Sequence, residues 1–214
     1  SLSHFGVLFL DEFPEFHRDA LEALRQPVED GITTVTRMAA TVTYPSDFML
    51  VAAMNPCPCG QYGTDRCRCS PIQVQRYLGR ISGPLLSRID MHVEMGPVDY
   101  QDISQKGNEE PSETIAQRVN AARQIQAERF AHAPIYSNAR MSSPMVREYC
   151  TLEQEGEAIL EAAFTSMGMS ARAYTRVLKV ARTIADLEGQ ETIQAAHVAE
   201  ALSYRSLDRK YWGV

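Results

Sequence analysis

The chain has 214 residues, of which 44% are hydrophobic and 22% charged, with a formal net charge of −6 at pH 7. This composition is typical of a soluble globular protein with one large or two ordinary domains. No apolar run approaches the roughly 20 residues that cross a bilayer, and no basic leader precedes the first apolar run, so we expect a cytoplasmic protein without a membrane partner. Because the net charge is negative, the chain as a whole does not attract nucleic acid electrostatically. A local group of basic residues can still bind a phosphate backbone.

The first pattern along the chain is an apolar run, Val7 to Leu10, that ends in the carboxylates Asp11 and Glu12. Such a run is typical of a strand buried on both faces of a parallel sheet. Ligands of open α/β sheets bind at the carboxyl ends of strands, where unpartnered carboxylates would otherwise be costly. The pair suits a Mg²⁺-nucleotide, because one carboxylate can hold the ion while the other polarises an attacking water. An acidic helix start after the strand is the alternative, and these residues alone do not separate the two.

A helix, a hairpin and a second buried strand are predicted next. β-branched residues make up both arms of the hairpin and place Arg37 near its tip. A continuous apolar run then predicts a second parallel strand, which ends at Asn55. The predicted elements are a helix from Pro14 to Val28, ended by Pro27 and a turn at 29–31; hairpin arms at 32–36 and 41–44; a strand at 48–54; a short helix at 73–78; and a strand within 85–94 that contains Arg88.

The second half has a helical pattern throughout, and the polar residues 99–113 are its predicted linker to the first half. Ser170 and Thr192 are expected to cap the last two helices. We therefore predict part of an α/β domain at 1–98 and an all-α domain at 114–214. The predicted helices are 114–131, 143–149, 152–167, 171–188 and a last one that ends at Tyr204.

Asn55 follows the second apolar strand directly. If the two predicted strands are neighbours, its amide lies beside the acidic pair, where it can orient the attacking water or contact a γ-phosphate. The alternative is that Asn-Pro simply starts a turn. The combination of Asn55 with Asp11 and Glu12 favours the functional interpretation.

Four cysteines lie within thirteen residues and form two Cys-x-Cys pairs around a glycine-containing loop: Cys57, Cys59, Cys67 and Cys69. Clustered thiolates can form a tetrahedral metal site, although each pair is spaced more tightly than the usual C-x₂₋₄-C. Because disulfides are rare in a reducing cytosol, structural Zn²⁺ is the favoured interpretation, with free thiols or redox pairing as alternatives. Cys150 stands apart and is predicted to be a small core residue.

Three arginines of the first half are candidates for contacts with a neighbouring subunit or with DNA. Arg88, in Leu-Leu-Ser-Arg-Ile-Asp, is either an ion-pair partner of Asp90 or an arginine finger for a neighbouring subunit's nucleotide, and Arg80 is a second candidate for that role. Arg37 is either an exposed turn residue or a DNA-backbone contact made inside a ring. Spacing alone does not separate these alternatives.

A further arginine lies at the start of a predicted helix in the second half. Arg172 follows the predicted cap Ser170, and a capped helix start offers free N–H groups to a phosphate. The alternative is a solvated face of arginines along this helix. Their spacing does not place all three on one face, so at least one has another role: Arg172, Arg176 and Arg182.

The order of these features resembles the AAA+ ATPases of the magnesium-chelatase and minichromosome-maintenance branch, and within it the ComM/YifB group of magnesium-chelatase-like proteins. The similarity covers nearly the whole chain, and the combination is far more specific than any single motif. It implies an α/β fold, with a partial AAA+ parallel-sheet core and pre-sensor hairpin followed by an all-α C-terminal lid domain. The residues that carry it are 6–16, 24–31, 52–60, 86–90, 170–174 and 180–187.

The resemblance implies a role for each matched residue, with ATP and Mg²⁺ as cofactors. Asp11 and Glu12 would be the Walker B pair, Asp11 on Mg²⁺ and Glu12 as the base that activates water. Asn55 would be sensor 1. Arg88 would be the arginine finger that acts on the adjacent subunit, and Arg172 would be sensor 2.

The resemblance also implies an assembly and a partner. Residues 32–45 would form the pre-sensor hairpin that points Arg37 into the central channel of a homo-hexamer. ComM-type proteins are similar to helicases that drive branch migration during natural transformation, which implies DNA as the partner. Two alternatives stay open: an ATPase that remodels a protein or metal-chelatase complex, and a non-catalytic scaffold stabilised by zinc.

One element of the resemblance is missing from the sequence. None of the three lysines, Lys106, Lys179 and Lys210, follows a glycine, so the chain has no Gly-Lys-Ser/Thr phosphate-binding (Walker A) loop. The chain also begins Ser-Leu-Ser-His with a strand pattern at once. We therefore expect a fragment whose phosphate loop lies upstream of residue 1, and which by itself binds nucleotide weakly and does not hydrolyse it.

Overall fold

The structure is a computed structural model that describes residues 1–38, 40–96 and 110–205. The described residues form two compact units, one up to Ile89 and one from Asp90 onward. The first unit contains strands and short helices, and the second is built from helices. The predicted linker lies outside the described residues up to position 109, and its residues 112 and 113 already belong to a helix.

The first unit holds two pairs of strands and four short α-helices within the described residues. A short 3-10 helix, Phe13–Glu15, follows the first strand. The elements are β1 (Val7–Leu10), α1 (Arg18–Ala23), α2 (Arg25–Asp30), β2 (Ile32–Arg37), β3 (Ala40–Pro45), β4 (Met49–Ala52), α3 (Pro71–Leu78) and α4 (Gly83–Leu86).

β1 and β4 pair in parallel, as the two apolar runs predict. The prediction that both faces are buried is wrong for this chain, because Val7 and Phe9 are 57% and 59% exposed. Their partners Met49 and Val51 are exposed on the same ribbon. The physical reason is that the described part of this unit supplies only two strands to the sheet, so one face carries its apolar side chains without a covering layer.

The predicted helix from Pro14 to Val28 is divided into the 3-10 helix, α1 and α2. Pro27 does not end a helix but lies in the first turn of α2, where a residue without an N–H breaks no intrahelical hydrogen bond. Gly31 ends α2 instead, with φ of 69° and its N–H donating to the Pro27 carbonyl over 3.0 Å. That left-handed conformation favours glycine.

The predicted hairpin is confirmed: β2 and β3 are antiparallel, with Ile32 opposite Pro45 and Arg37 opposite Ala40. The predicted strand at 85–94 is wrong. Ser82 accepts a hydrogen bond from the Leu85 N–H and caps α4, and residues 87–96 form no strand. A serine cap followed by Gly-Pro starts a helical turn there, and this local chemistry overrides the apolar pattern.

The core of the first unit consists of two hydrophobic clusters that share the partly buried Met54. One packs the 3-10 helix, α1 and α4 together, and the other packs α3 against the loop that follows β4. Their buried members are Phe13, Leu21, Ile81, Leu85 and Leu86 in the first, and Cys57, Val74, Tyr77 and Leu78 in the second.

The second unit is helical, as predicted, and none of the helices in the described ranges is long and apolar enough to cross a membrane. Ser170 caps its helix as predicted, whereas the last helix is capped by Gln194 rather than Thr192, because the side chains of Gln194 and His197 form a reciprocal capping box. The elements are α5 (Ser112–Arg129), α6 (Ser143–Tyr149), α7 (Gln154–Met167), α8 (Ala171–Leu187) and α9 (Ala195–Ser203).

The core of this unit surrounds α8 and includes Cys150, which is buried as predicted and directly follows α6. Next to it lies a buried polar network centred on Asp186. Arg129 donates two hydrogen bonds to the Asp186 carboxylate, at 2.5 and 2.7 Å, and Arg182 and Asn138 donate at 3.0 and 2.7 Å. The network ties α5, α8 and the intervening loop to one another.

Candidate functional site

The parallel register brings the acidic pair and the asparagine to the same edge of the β1–β4 sheet. Leu10 is opposite Ala52, so Asp11 and Glu12 leave the sheet at the edge where residues 53–55 leave it. The Ala53 N–H donates to the Leu10 carbonyl over 2.9 Å, and the Phe13 N–H donates to the Ala53 carbonyl over 3.0 Å. These bonds hold the two chain segments together beyond the last strand residues, at the edge where α/β sheets bind ligands.

Glu12 has a backbone conformation that residues other than glycine seldom adopt. Its φ and ψ are 50° and 43°, in the left-handed region, and it lies directly before the 3-10 helix. The Glu12 N–H donates to Asp11 Oδ1 over 2.8 Å. Strain of this kind costs about 1–3 kcal/mol and is concentrated at functional sites. The conformation was not predictable from the residue type, because glutamate gives no signal for it.

Asn55 lies three residues beyond the end of β4, and its side chain is exposed. Its backbone lies next to the hydroxyl of Tyr77, a buried residue of α3. Burial raises the pKa of Tyr77, so the hydroxyl stays neutral and serves as a hydrogen-bond partner. Sequence reasoning missed Tyr77, since its spacing in α3 indicates only a core position.

The four cysteines that sequence reasoning grouped together are brought together by the fold. Their Sγ atoms all lie within 4.8 Å of one another. The Sγ atoms of Cys57 and Cys59 are 3.4 Å apart, those of Cys59 and Cys67 are 3.8 Å apart, and those of Cys57 and Cys67 are 4.0 Å apart. All four are free thiols, and Cys57 is fully buried while Cys59 is exposed.

The local environment shifts the pKa values of these thiols in different directions. Backbone N–H groups of Arg68 and Gln61 donate to Cys59 and lower its pKa to about 6. Burial, together with the neighbouring thiols, raises the pKa of Cys69 to about 12. One thiolate therefore forms readily, but adding further negative charge beside it is unfavourable in the absence of a cation.

Arg88 forms an ion pair, but its partner is not the predicted Asp90. Its Nε lies 2.5 Å from Glu29 Oε2 at the end of α2, and its Nη1 donates to the Pro84 carbonyl over 2.6 Å. The Arg88 side chain is only 13% exposed. Asp90 pairs instead with Arg176 in the second unit. Sequence reasoning missed Glu29, which lies 59 positions before Arg88 in the chain.

The three arginines of α8 differ in environment, as their spacing predicts. Arg172 lies in the first turn with an exposed side chain, after the Ser170 hydroxyl that accepts from the Ala173 N–H over 3.2 Å. Arg176 pairs with Asp90, and Arg182 is buried against Asp186. Arg172 is the member of this set that is exposed at the start of the helix.

Arg37 is the last residue of β2, and Met38 next to it is fully exposed at the tip of the hairpin. Arg80, the second finger candidate, pairs with Glu15 over 2.5 Å at the surface. The first unit thus brings Asp11, Glu12 and Asn55 to one edge and gathers the cysteines directly after it. Arg88 follows α4 and Arg37 ends a separate hairpin.

Comparison with known proteins places these features in a family. Residues 1–103 match the family model for "Magnesium chelatase, subunit ChlI", and residues 109–205 match the model for "Magnesium chelatase, subunit ChlI C-terminal". The two matches together agree with a partial AAA+ α/β core followed by a helical C-terminal domain.

Curated relatives match over almost the whole chain. The "Uncharacterized protein YifB" of Escherichia coli is 47% identical over 211 residues, which is 98% of this chain and 41% of that protein. The "Competence protein ComM" of Haemophilus influenzae is 44% identical, over 98% of this chain and 40% of its own length. A protein of Mycobacterium tuberculosis is 39% identical over 96% of this chain and 41% of its own length. The chain spans about two fifths of these relatives and belongs to the magnesium-chelatase-like AAA+ family that includes YifB and ComM.

Proposed function

We propose that these residues form the C-terminal half of an AAA+ ATPase that couples ATP hydrolysis to movement along DNA. The observation that carries the proposal is the parallel register of β1 and β4, which sets Asp11, Glu12 and Asn55 at one sheet edge. The family assignment supports nucleotide chemistry at this edge. The whole protein's activity and partners form part of the proposal.

The donor set at the edge fits a Mg²⁺-nucleotide. Asp11 and Glu12 are both exposed there, and carboxylate oxygens are the ligands that a small hard cation prefers. The bound ion would neutralise charge on the transferred phosphoryl group. Asp11 would hold the ion, Glu12 would accept a proton from the attacking water, and the Asn55 amide would orient that water.

The remaining parts of the site come from elsewhere. We propose that the phosphate-binding loop lies in a part of the protein outside these 214 residues, because the sequence contains no Gly-Lys-Ser/Thr. Arg88 would serve as the arginine finger for a neighbouring subunit of a homo-hexamer, with the ion pair to Glu29 holding its guanidinium in place. Arg172, exposed at the start of α8, would contact phosphate as sensor 2.

DNA is the proposed partner of the assembled ring, in a cytoplasmic protein. The hairpin β2–β3 carries Arg37 beside an exposed tip, which suits contact with a phosphate backbone in a central channel. The Haemophilus relative is named a competence protein, and we propose a role in DNA uptake or recombination for this chain. This role is consistent with an acidic chain, because the contact is local.

Salt-dependent DNA binding by the full-length protein tests the hairpin. Arg37→Ala should weaken binding uniformly across sequences and reduce the slope of log Kd against log salt by about 1, because one phosphate contact is lost. Arg18→Ala is the matched control, since Arg18 is an exposed arginine of α1. An unchanged slope with Arg37→Ala would reject the role of the hairpin.

A second function is also considered, because both matched family models are named for a magnesium chelatase subunit. In that case the ATPase would remodel a protein or metal-inserting complex, and DNA would not raise its rate of ATP hydrolysis. DNA-stimulated hydrolysis by the full-length protein separates the two functions. A non-catalytic scaffold, the third alternative, predicts no hydrolysis under any condition.

A further inference from the structure

The four-cysteine cluster has the dimensions of one tetrahedral thiolate centre. With metal–sulfur bonds of about 2.3 Å, the sulfur atoms of a tetrahedron lie about 3.8 Å apart. The three Sγ–Sγ separations among Cys57, Cys59 and Cys67, 3.4, 3.8 and 4.0 Å, bracket that value, and the four sulfur atoms including that of Cys69 all lie within 4.8 Å of one another. A disulfide would require about 2.0 Å, so the observed arrangement suits a shared ion rather than a covalent bond between two cysteines.

Both ends of the cysteine loop are held by rigid structure. Cys57 is fully buried and packs in the cluster formed with α3. Cys69 directly precedes Ser70, whose capping box with Gln73 fixes the start of α3. Gly60, with φ of +75°, closes the turn that contains Cys57 and Cys59, since its N–H donates to the Cys57 carbonyl over 3.0 Å. The ligands are therefore positioned before any ion binds.

Backbone amides surround the sulfur atoms. The backbone of Arg68 and Gln61 lies beside the Cys59 sulfur, and the Cys59 backbone lies beside the Cys69 sulfur. Such donors around the ligands are characteristic of thiolate metal centres, where they orient the sulfur atoms. A complex of one divalent ion with four thiolates has a net charge of −2. The positively charged Arg66 and Arg68 flank the ligand Cys67 in the chain.

The cluster is joined directly to Asn55. Only Pro56 separates Asn55 from Cys57, and the Asn55 backbone lies next to Tyr77, which packs in the same cluster as Cys57. The turn at Gly60 also reaches the asparagine, because a Cβ added at Gly60 would lie 3.8 Å from the Asn55 side chain. A cross-link through the four sulfur atoms would fix this loop against α3 and, with it, the position of Asn55.

We propose that Cys57, Cys59, Cys67 and Cys69 bind one Zn²⁺ and that this centre holds Asn55 in place at the sheet edge. Binding forms four Zn–S bonds and releases the thiol protons to solvent. A closed set of four ligands leaves no position for a water, so the ion is structural and the cysteines are positioning residues. The effect on Asn55 rests on the proposed ATPase function, whereas the metal site does not.

Metal content of the full-length protein tests the site. We expect about one zinc per chain, and the Co²⁺-substituted protein should show the absorption of tetrahedral cobalt with sulfur-to-cobalt charge transfer. Cys57→Ser and Cys69→Ser should each lower metal affinity at least about tenfold. Cys150→Ala, which alters a buried thiol outside the cluster, should keep the metal. Wild-type protein without bound metal, or with iron in place of zinc, would overturn the proposal.

Chelation of the wild-type protein tests the effect on Asn55 without a variant that fails to fold. Removing zinc should raise amide hydrogen exchange across residues 53–70 and leave exchange in the Asp186 network unchanged. It should lower kcat for ATP hydrolysis more than it changes KM, since Asn55 acts on the water rather than on ground-state binding. Unchanged exchange after complete zinc removal would overturn the positioning role. Absence of ATP hydrolysis in the loaded protein would reject the ATPase but not the zinc site.

Discussion

At the scale of single residues, Glu12 shows most clearly how structure adds to sequence. The sequence predicts its place after an apolar strand, because the run from Val7 to Leu10 ends there. Its left-handed backbone, with φ of 50°, has no signal in the residue type and depends on the bonds that hold Asp11 and Phe13 on either side. A residue other than glycine in this conformation costs stability, which agrees with a functional role for the Glu12 carboxylate.

The strain at Glu12 can be measured separately from its chemistry. Glu12→Gly and Glu12→Ala both remove the carboxylate, but only glycine adopts this conformation without a steric penalty. We expect Glu12→Gly to be more stable than Glu12→Ala by about 1 kcal/mol, observed as a higher midpoint of thermal unfolding. Equal midpoints would show that the left-handed conformation is not retained in solution.

At the scale of elements, long apolar patterns were predictable and short capped segments were not. The parallel pairing of β1 with β4 and the hairpin β2–β3 follow from apolar and β-branched runs. The strand predicted around Arg88 does not form, because the Ser82 cap and Pro84 start α4 instead. Likewise Gln194, which few sequence rules select as a cap, replaces Thr192. Local side-chain-to-backbone bonds decided these cases, and periodicity does not report them.

Ion pairs and hydrogen bonds between residues far apart in the chain were also not predictable from the sequence. The Arg88–Glu29 ion pair and the Asp186 network join residues far apart in the chain. In contrast, the cysteine cluster was predictable, because its four ligands lie within one loop. The sequence therefore identifies sites built from neighbouring residues and misses the partners that folding brings from elsewhere.

The Asp186 network should contribute strongly to the stability of the helical unit. The Asp186 side chain is fully buried and bonded to both Arg129 and Arg182. Asp186→Ala would leave two largely buried guanidinium groups without their carboxylate, so we expect a loss of about 3 kcal/mol or more in unfolding free energy. Glu157→Ala, on the exposed side of α7, is the control and should change stability little. A small loss for Asp186→Ala, measured by denaturant unfolding, would contradict this.

At the scale of the whole molecule, two features support the proposal that the site is shared with other parts of the protein. The chain spans about two fifths of the length of its curated relatives, and one face of the β1–β4 ribbon carries exposed apolar side chains. We propose that further strands and the phosphate-binding loop complete this sheet, and that Arg88 completes the site of the neighbouring subunit. The 214 residues alone should therefore show no ATPase activity.

The most direct test is ATP hydrolysis by the full-length protein with Glu12→Gln. Glu15→Gln is the matched control, because Glu15 lies three residues away and its exposed ion pair with Arg80 contributes little. Glu12→Gln should lower kcat by about a hundredfold or more while ATP binding is retained, since the base is lost but the carboxylate of Asp11 remains. Glu15→Gln should keep the wild-type rate. Hydrolysis at the wild-type rate by the Glu12→Gln protein would contradict the assignment of this sheet edge as the catalytic site.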